Sequence, residues 1–333
     1  MGGVGAGGLG QGSSVFTVTS AQDVAAAKEH IARLLKELEA PPPVLASEEE
    51  RAKRQEVVHN TQTALVELFR DEASRALVAG EFSAAMAAAR QALSFAIKVW
   101  GESALEVVPC YLLLAEGAVG ARKFEQAQEL LAMGNWTIVS AGGAVPHVLR
   151  SAMHRNYAKL YAAQGKLDQA LREMARDAYY CALAVGPEHI DTSAAYFHLA
   201  SIYLNMQPPK QEAALAALDT VVSIWYKFLA AAQASGAAAD GLLHSQQLEA
   251  AAMLQAAVDT RTKLLGRDHV AVAEALHTLA QLHAWRHLWM EAEAAAQDAL
   301  EIYQSVLGPS HATCEEVDAF VTAMRASAVA ELP

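Results

Sequence analysis

A tetrapeptide of the form Gly-x-x-His recurs along this chain and sets the limits on how it can fold. It reads GPEH from Gly186, GRDH from Gly266 and GPSH from Gly308. Gly266 and Gly308 lie 42 residues apart, and Gly186 and Gly266 lie 80 apart, close to two such steps with one marker missing. Counting backward, Gly143 in GGAVPH and Gly101 in WGESA continue the same spacing. A fixed period of this size is the mark of a solenoid, in which each unit buries its apolar face only by stacking on its neighbours.

Within a unit the apolar pattern has a helical period that Gly or Pro divides in two. HRNYAKLYAAQGKLDQALREM puts Tyr157, Leu160 and Tyr161 on one face, stops at Gly165, and resumes with Leu167, Ala170, Leu171 and Met174. This predicts an antiparallel helix hairpin. Alanine recurs where the two helices must approach closely, in the pairs Ala158 with Ala170, Ala200 with Ala213, and Ala280 with Ala292. Gly80 and Gly165 suit a left-handed helix C-terminus. In the Gly-x-x-His element the Gly is expected to end one helix and the Pro or acidic residue to start the next, leaving the His near the helix entrance in a structural role.

The stretches YAKLYAAQGKLDQA, HLASIYLNMQ with the following EAALAAL, and TLAQLHAWRHLWMEAEAAAQDALEIY resemble the tetratricopeptide repeat, in the longer 42-residue form of kinesin light chains. The resemblance covers roughly residues 60 to 326. It implies an all-α fold, a right-handed superhelix of antiparallel helix hairpins.

Composition agrees with such a chain and excludes several classes. Of its 333 residues 53% are hydrophobic and only 10 are Pro, and Ala, the best helix former, dominates. No window reaches 18 strongly apolar residues, which argues against a membrane span. The start, MGGVGAGGLGQGSS, lacks a basic segment followed by a Leu-rich run and reads as a flexible tail instead of a secretory signal. Three widely spaced cysteines, Cys110, Cys181 and Cys314, fit a reducing compartment. A net charge of −12 argues against general nucleic-acid binding and leaves basic partners open.

Along the chain the expected organisation is a Gly-rich tail over 1–19, a preliminary helix and Pro linker over 20–46, the repeat solenoid over 47–326, and a tail over 327–333. Ser20 with Asp23 suggests a helix cap, and Ser47 with Glu50 forms a capping-box pattern that opens a long helix to about Ala79. Helices are then expected near 83–100, 103–120, 124–141, 146–164, 167–185, 190–206 and 210–234. The phase slips near 210–265, where a single long helix stands in place of a hairpin and is expected to pair with the helix before it. Two helices over about 270–307 and a capping helix over 311–326 close the array.

Chemistry finds little support. His283, His287 and Glu291 have a spacing that would put two imidazoles and a carboxylate on one helix face as a zinc site. Arg286 and His287, however, fall at the hairpin turn, so the face is broken and no metal site is assigned. The cysteines sit inside helical patterns, where buried thiols are inert. No phosphate-binding Gly loop or nucleophile elbow is found. No catalytic residue or cofactor is assigned, and the chain reads as a non-enzyme.

What remains is binding. In tetratricopeptide arrays the first helix of each unit lines a concave face. Two alignment columns there hold Leu112, Arg155, Phe197 and His277, followed by Leu113, Asn156, His198 and Thr278, with Lys159, Ser201 and Gln281 one turn on. These columns suit a partner groove with exposed polar residues, or an ordinary solvated helix face. Kinesin light chains commonly carry Asn in both columns, and here only Asn156 keeps one, so their peptide specificity is not carried over.

The whole order of parts, from preliminary helix through irregular unit to final GPSH and capping helix, resembles the tetratricopeptide protein tied to single-headed inner-arm dyneins of motile cilia. The MYND zinc finger of its animal counterpart has no match, since no CxxC pair is present. The resemblance implies a non-catalytic docking subunit in the ciliary or flagellar axoneme, assembled in the cytoplasm. Its partners would be an inner-arm dynein heavy chain and a second tetratricopeptide-repeat protein, with actin and centrin on the same dynein beside the doublet microtubule. A kinesin-light-chain-like cargo adaptor is the alternative. It would need a heptad region for heavy-chain pairing, and residues 21–40 supply fewer than three heptads.

Overall fold

The computed structural model describes residues 21–39, 47–142, 145–235 and 242–330. The expected N-terminal tail, Ser20, the Pro linker, Gly143, the part of the expected ASGAAADG loop beyond residue 235 and the last three residues lie outside them. The described residues form thirteen α-helices and no strand. In order they are α1 (Ala21–Glu39), α2 (Glu48–Val78), α3 (Phe82–Trp100), α4 (Val108–Gly120), α5 (Phe124–Ser140), α6 (His147–Ala163) and α7 (Leu167–Val185). There follow α8 (Ile190–Asn205), α9 (Gln211–Ser235), α10 (His244–Leu265), α11 (Val270–Trp285), α12 (Trp289–Leu307) and α13 (Ala312–Ala330). The fold is an all-α array of antiparallel hairpins, α2 with α3, α4 with α5, α6 with α7, α8 with α9 and α11 with α12.

Each hairpin is closed by two alanines at the crossing, where a larger side chain would hold the axes apart. They are Ala73 with Ala85, Ala115 with Ala127, Ala158 with Ala170, Ala200 with Ala214, and Ala280 with Ala292, all at most 1% exposed. Four pairs are twelve residues apart because three residues join the helices. The α8–α9 connection has five, so the partner of Ala200 moves two places on, to Ala214. Ala213, the partner expected from the sequence, is only half-buried.

Helix ends follow local chemistry. At Ser47 both halves of the capping box form, with Glu50 N–H donating to Ser47 Oγ (3.2 Å) and Ser47 N–H donating to Glu50 Oε2 (2.7 Å). Gly165 turns the α6–α7 hairpin at φ 75°, and Arg122 and His287 take the equivalent left-handed turn at φ 59°. The expected helix from 103 instead begins at Val108, after a 3-10 turn over Leu105–Val107. Pro109 decides this, because proline fits the first turn of a helix and would break a helix that had begun at 103.

The Gly-x-x-His element also departs from expectation at one atom. Gly186, Gly266 and Gly308 take φ of 105°, 94° and 91° after α7, α10 and α12. The next helix starts after the His, not at the Pro or acidic residue. His189, His269 and His311 are the N-caps: each Nδ1 accepts the backbone N–H two residues on, from Asp191 (3.3 Å), Ala271 (3.1 Å) and Thr313 (3.2 Å).

The irregular unit is where the array leaves its period. α9 buries Leu218, Val221, Val222, Trp225 and Leu229 in the core of the C-terminal half. Its segment Gln211–Ala234 has mean hydropathy 1.4 and is long and apolar enough to cross a membrane, which corrects the expectation that no window reaches that level. A core helix passes the same test because it too is apolar on most sides. Contrary to the expected pairing with α9 before it, α10 packs mainly on α11 after it, and its N-terminal half reaches α2. Arg261, 1% exposed, fastens the α9, α10 and α11 junction by donating to Asp219 Oδ1 (2.6 Å) and to the Ala271 carbonyl (2.5 Å).

Candidate functional site

α6 presents two different faces, because positions three and four apart recur on one side of a helix. Ala152, Arg155, Asn156 and Lys159 point to a cavity of ≈ 720 Å³ that is also lined from α2, α4, α8 and α10. Phe197 and His198 of α8 line it as well, so the structure gathers five of the nine sequence-predicted binding residues around one space.

Most of their polar capacity is already committed. Asp177 of α7, fully buried, accepts from Arg155 Nε (2.8 Å) and Nη2 (3.4 Å) and from Ser151 Oγ (2.5 Å). Burial works against the Arg155 charge, but the Asp177 carboxylate outweighs it and raises the guanidinium above its ordinary value. Lys159 Nζ pairs with Glu116 Oε1 of α4 at 2.5 Å. Asn156, expected to be exposed, is 6% exposed and donates from Nδ2 to the Ala152 carbonyl (3.0 Å). His198 is the least satisfied: its Nε2 is buried without a partner. Burial first, then the positive charges of Lys159 and Arg155, push it well below the usual histidine range, so it is neutral.

The remaining predicted residues stand apart. Ser201 is exposed on α8 and does not line the cavity. His277, Thr278 and Gln281 are buried on α11. The His277 ring sits between Tyr226 of α9 and Phe320 of α13, with centroids 6.1 Å and 5.8 Å away. Gln281 Nε2 lies 3.3 Å from His277 Nε2, and Thr278 Oγ1 donates to the Glu274 carbonyl (2.8 Å). The columns diverge because α10, inserted between the halves, takes α11 away from the concave row of α4, α6 and α8.

α10 also changes the cavity itself. Ser245, Gln246, Glu249 and Met253 form one wall, and Ser245 Oγ donates to Asp71 Oδ1 (2.6 Å) of the Asp71 and Arg75 ion pair on α2. The concave face is therefore closed over by the chain's own helix. Sequence reasoning missed Asp71, Asp177 and Ser245; a polar residue at a core position of the helical period was the one signal available.

Other candidates are resolved by geometry. α11 ends at Trp285 and His287 turns the chain, so His283 and His287 share no helix face. Among the described residues no three His, Cys, Asp or Glu side chains converge as a metal site. All three cysteines are buried and free, and burial pushes the Cys110 thiol up to about 11, where it is un-ionised and unreactive at neutral pH.

The opposite face of α6 carries Arg150, His154, Tyr157 and Tyr161, which open into a groove of ≈ 590 Å³ between α5 and α7. Tyr180 of α7 stacks on His154 at 5.4 Å and on His147 at 5.9 Å. This groove was not singled out in the sequence, because its residues read as ordinary helix positions.

Residues 272–313, from α11 into the first turn of α13, match the family model described as tetratricopeptide repeat. Solved structures with similarity include the nearly identical TPR-like repeats assigned to a Podosopora anserina kinesin light chain, at 17% identity over 72% of this chain and 95% of that one, TM-score 0.38. BtubC (BKLC) from P. vanneervenii is 14% identical over 86% of this chain and 91% of that one, TM-score 0.40. The apo form of RapI is 12% identical over 79% and 71%, TM-score 0.42. No functional assignment follows from similarity at these scores.

Proposed function

We propose that this chain, a tetratricopeptide-repeat protein, is a non-catalytic scaffold that docks partner proteins, and that its setting is an inner-arm dynein complex of the ciliary axoneme. The observation that carries the scaffold reading is a repeat array whose concave-face polar groups are mostly spent on holding its own helices, while large apolar side chains stay exposed on its outside, among them Trp136 (70%) and Tyr179 (61%). Apolar side chains exposed together on one surface are characteristic of protein-contact sites. The dynein setting is supported by the order of parts: α1 packed on α2, regular hairpins, the α9 and α10 irregularity, and α13 behind GPSH. A dynein heavy chain and a second tetratricopeptide-repeat protein are the partners proposed, with actin and centrin on the same complex.

Salt extraction of axonemes tests this. Co-extraction and co-sedimentation of the chain with a single inner-arm dynein species is the expected result. A soluble cytoplasmic pool that co-purifies with kinesin heavy chain would replace it with the cargo-adaptor reading.

A further inference from the structure

We propose that the groove between α5 and α7, over the face of α6 turned away from α10, docks a partner segment that carries apolar side chains together with carboxylates. The inference rests on the scaffold reading and names the surface and the partner chemistry.

The apolar half of the argument is exposure. Trp136 and Val139, one turn apart on α5, are 70% and 66% exposed, and Tyr179 and Leu183, one turn apart on α7, are 61% and 50% exposed. Val139 lines the groove, and Tyr179 lines an adjoining pocket that shares His154 and Arg176 with it. Tyr157 and Tyr161 form the floor, their rings 6.2 Å apart. Val139 of α5 and Tyr179 of α7 thus stand at this depression, each with a second exposed apolar side chain one helix turn away, Trp136 and Leu183.

The second half is charge. Besides Tyr157 and Tyr161, the charged or titratable side chains that line the groove are Arg150, Arg176, His154 and Glu173. Glu173 is the one carboxylate among them, and it is already shared between His154 Nδ1 and Arg176 Nη1, each at 2.7 Å. The Arg150 guanidinium lies over the Tyr180 ring at 5.8 Å, and its buried Nε has no hydrogen-bond partner. On a chain of net charge −12 this depression holds a local cationic surplus. Arginine beside aromatic rings favours a carboxylate flanked by apolar side chains and disfavours a basic segment. Two guanidinium groups are too few to hold a nucleic-acid backbone against the overall charge.

Selection of a phage-displayed library of random 12-residue peptides on the purified full-length chain tests the proposal without presuming a sequence. The expected outcome is enrichment of peptides that combine Asp or Glu with Leu, Phe, Ile or Trp. A selected peptide should shield Trp136 from acrylamide quenching, a signal absent in Trp136→Phe, and should bind at least tenfold more weakly to Arg176→Glu, whose exposed position leaves folding intact by circular dichroism. Val139→Asp should act in the same direction. The proposal fails if nothing is enriched, if the enriched peptides are basic, or if Arg176→Glu and Val139→Asp bind unchanged. It also fails if Lys159→Ala and Phe197→Ala abolish binding instead, which would move the site to the α10 side and leave the scaffold reading standing. Self-association of the wild-type chain that Val139→Asp abolishes would identify a second copy as the occupant and overturn the stated chemistry. Axoneme fractionation reports on the scaffold reading whichever result is found.

Discussion

Ser245 donates a hydrogen bond to Asp71 at 2.6 Å across 174 residues of chain, and this contact joins the irregular helix α10 to α2. Both side chains are buried, and Asp71 also holds Arg75, itself 9% exposed.

Breaking that relationship from its two ends should give unequal results. Ser245→Ala leaves the Asp71 and Arg75 pair in place and removes one donor, a loss of about 1 to 3 kcal/mol. Asp71→Ala strands a buried guanidinium and should cost about 3 to 5 kcal/mol. Urea midpoints of the two variants check the order. Equal losses would mean that the ion pair adds nothing to the contact.

The alanine stripe gives a test of register. Ala200→Leu and Ala214→Leu should each lose about 1 to 3 kcal/mol, because the α8 and α9 axes would have to separate. Ala213→Leu should lose less than half as much. The same denaturation series would exclude the assigned register if Ala213 proved the more sensitive of the two.

Histidine N-caps predict a substitution pattern that a core or ligand histidine would not show. His269→Ala should cost about 0.5 to 2 kcal/mol, whereas His269→Asp or His269→Ser should retain or improve stability, since their oxygens accept the same N–H. Thermal unfolding of the three variants is the measurement, and a loss with Asp equal to that with Ala would count against capping.

Stability should depend on pH below neutrality. His198 and His277 are depressed first by burial, and His244 and His283 by burial and then by Arg286. Near pH 6.5 the unfolded chain binds protons at these positions while the folded chain does not, so their contribution is complete above about 6.5 and is lost as pH falls. Urea midpoints at pH 7.5, 6.5 and 5.5 should decline in that order, with a shallower decline in His198→Gln. A flat profile would show that these rings are hydrated in the folded chain.

The polar column can also be separated from a solvated face. Sequence alone suggests that truncating Asn156 and His198 leaves stability nearly unchanged. Their burial now predicts a loss of about 1 to 3 kcal/mol for the pair, measurable by calorimetry, because Asn156→Ala removes a satisfied buried amide and both truncations leave space.

The sequence by itself determined the hairpins, their small-residue crossings and most helix ends. These are local properties: a period of 3.6 residues, an alanine twelve places from its partner, a Gly that reaches positive φ, and the Ser47 and Glu50 box all act within one or two turns. It also separated His283 from His287, since the turn between them follows from repeat register. The tertiary structure decided the rest. Where the marker spacing doubles, between Gly186 and Gly266, nothing local specifies where α10 lies, and its place against α2 is set by buried area and by Ser245 meeting Asp71 over a long loop of chain. That placement closes the concave face, removes His277 from the row of Asn156 and His198, and leaves the α5 to α7 groove open. Residues of one alignment column share chemistry only while each unit stacks on the one before it, and one inserted helix is enough to part them.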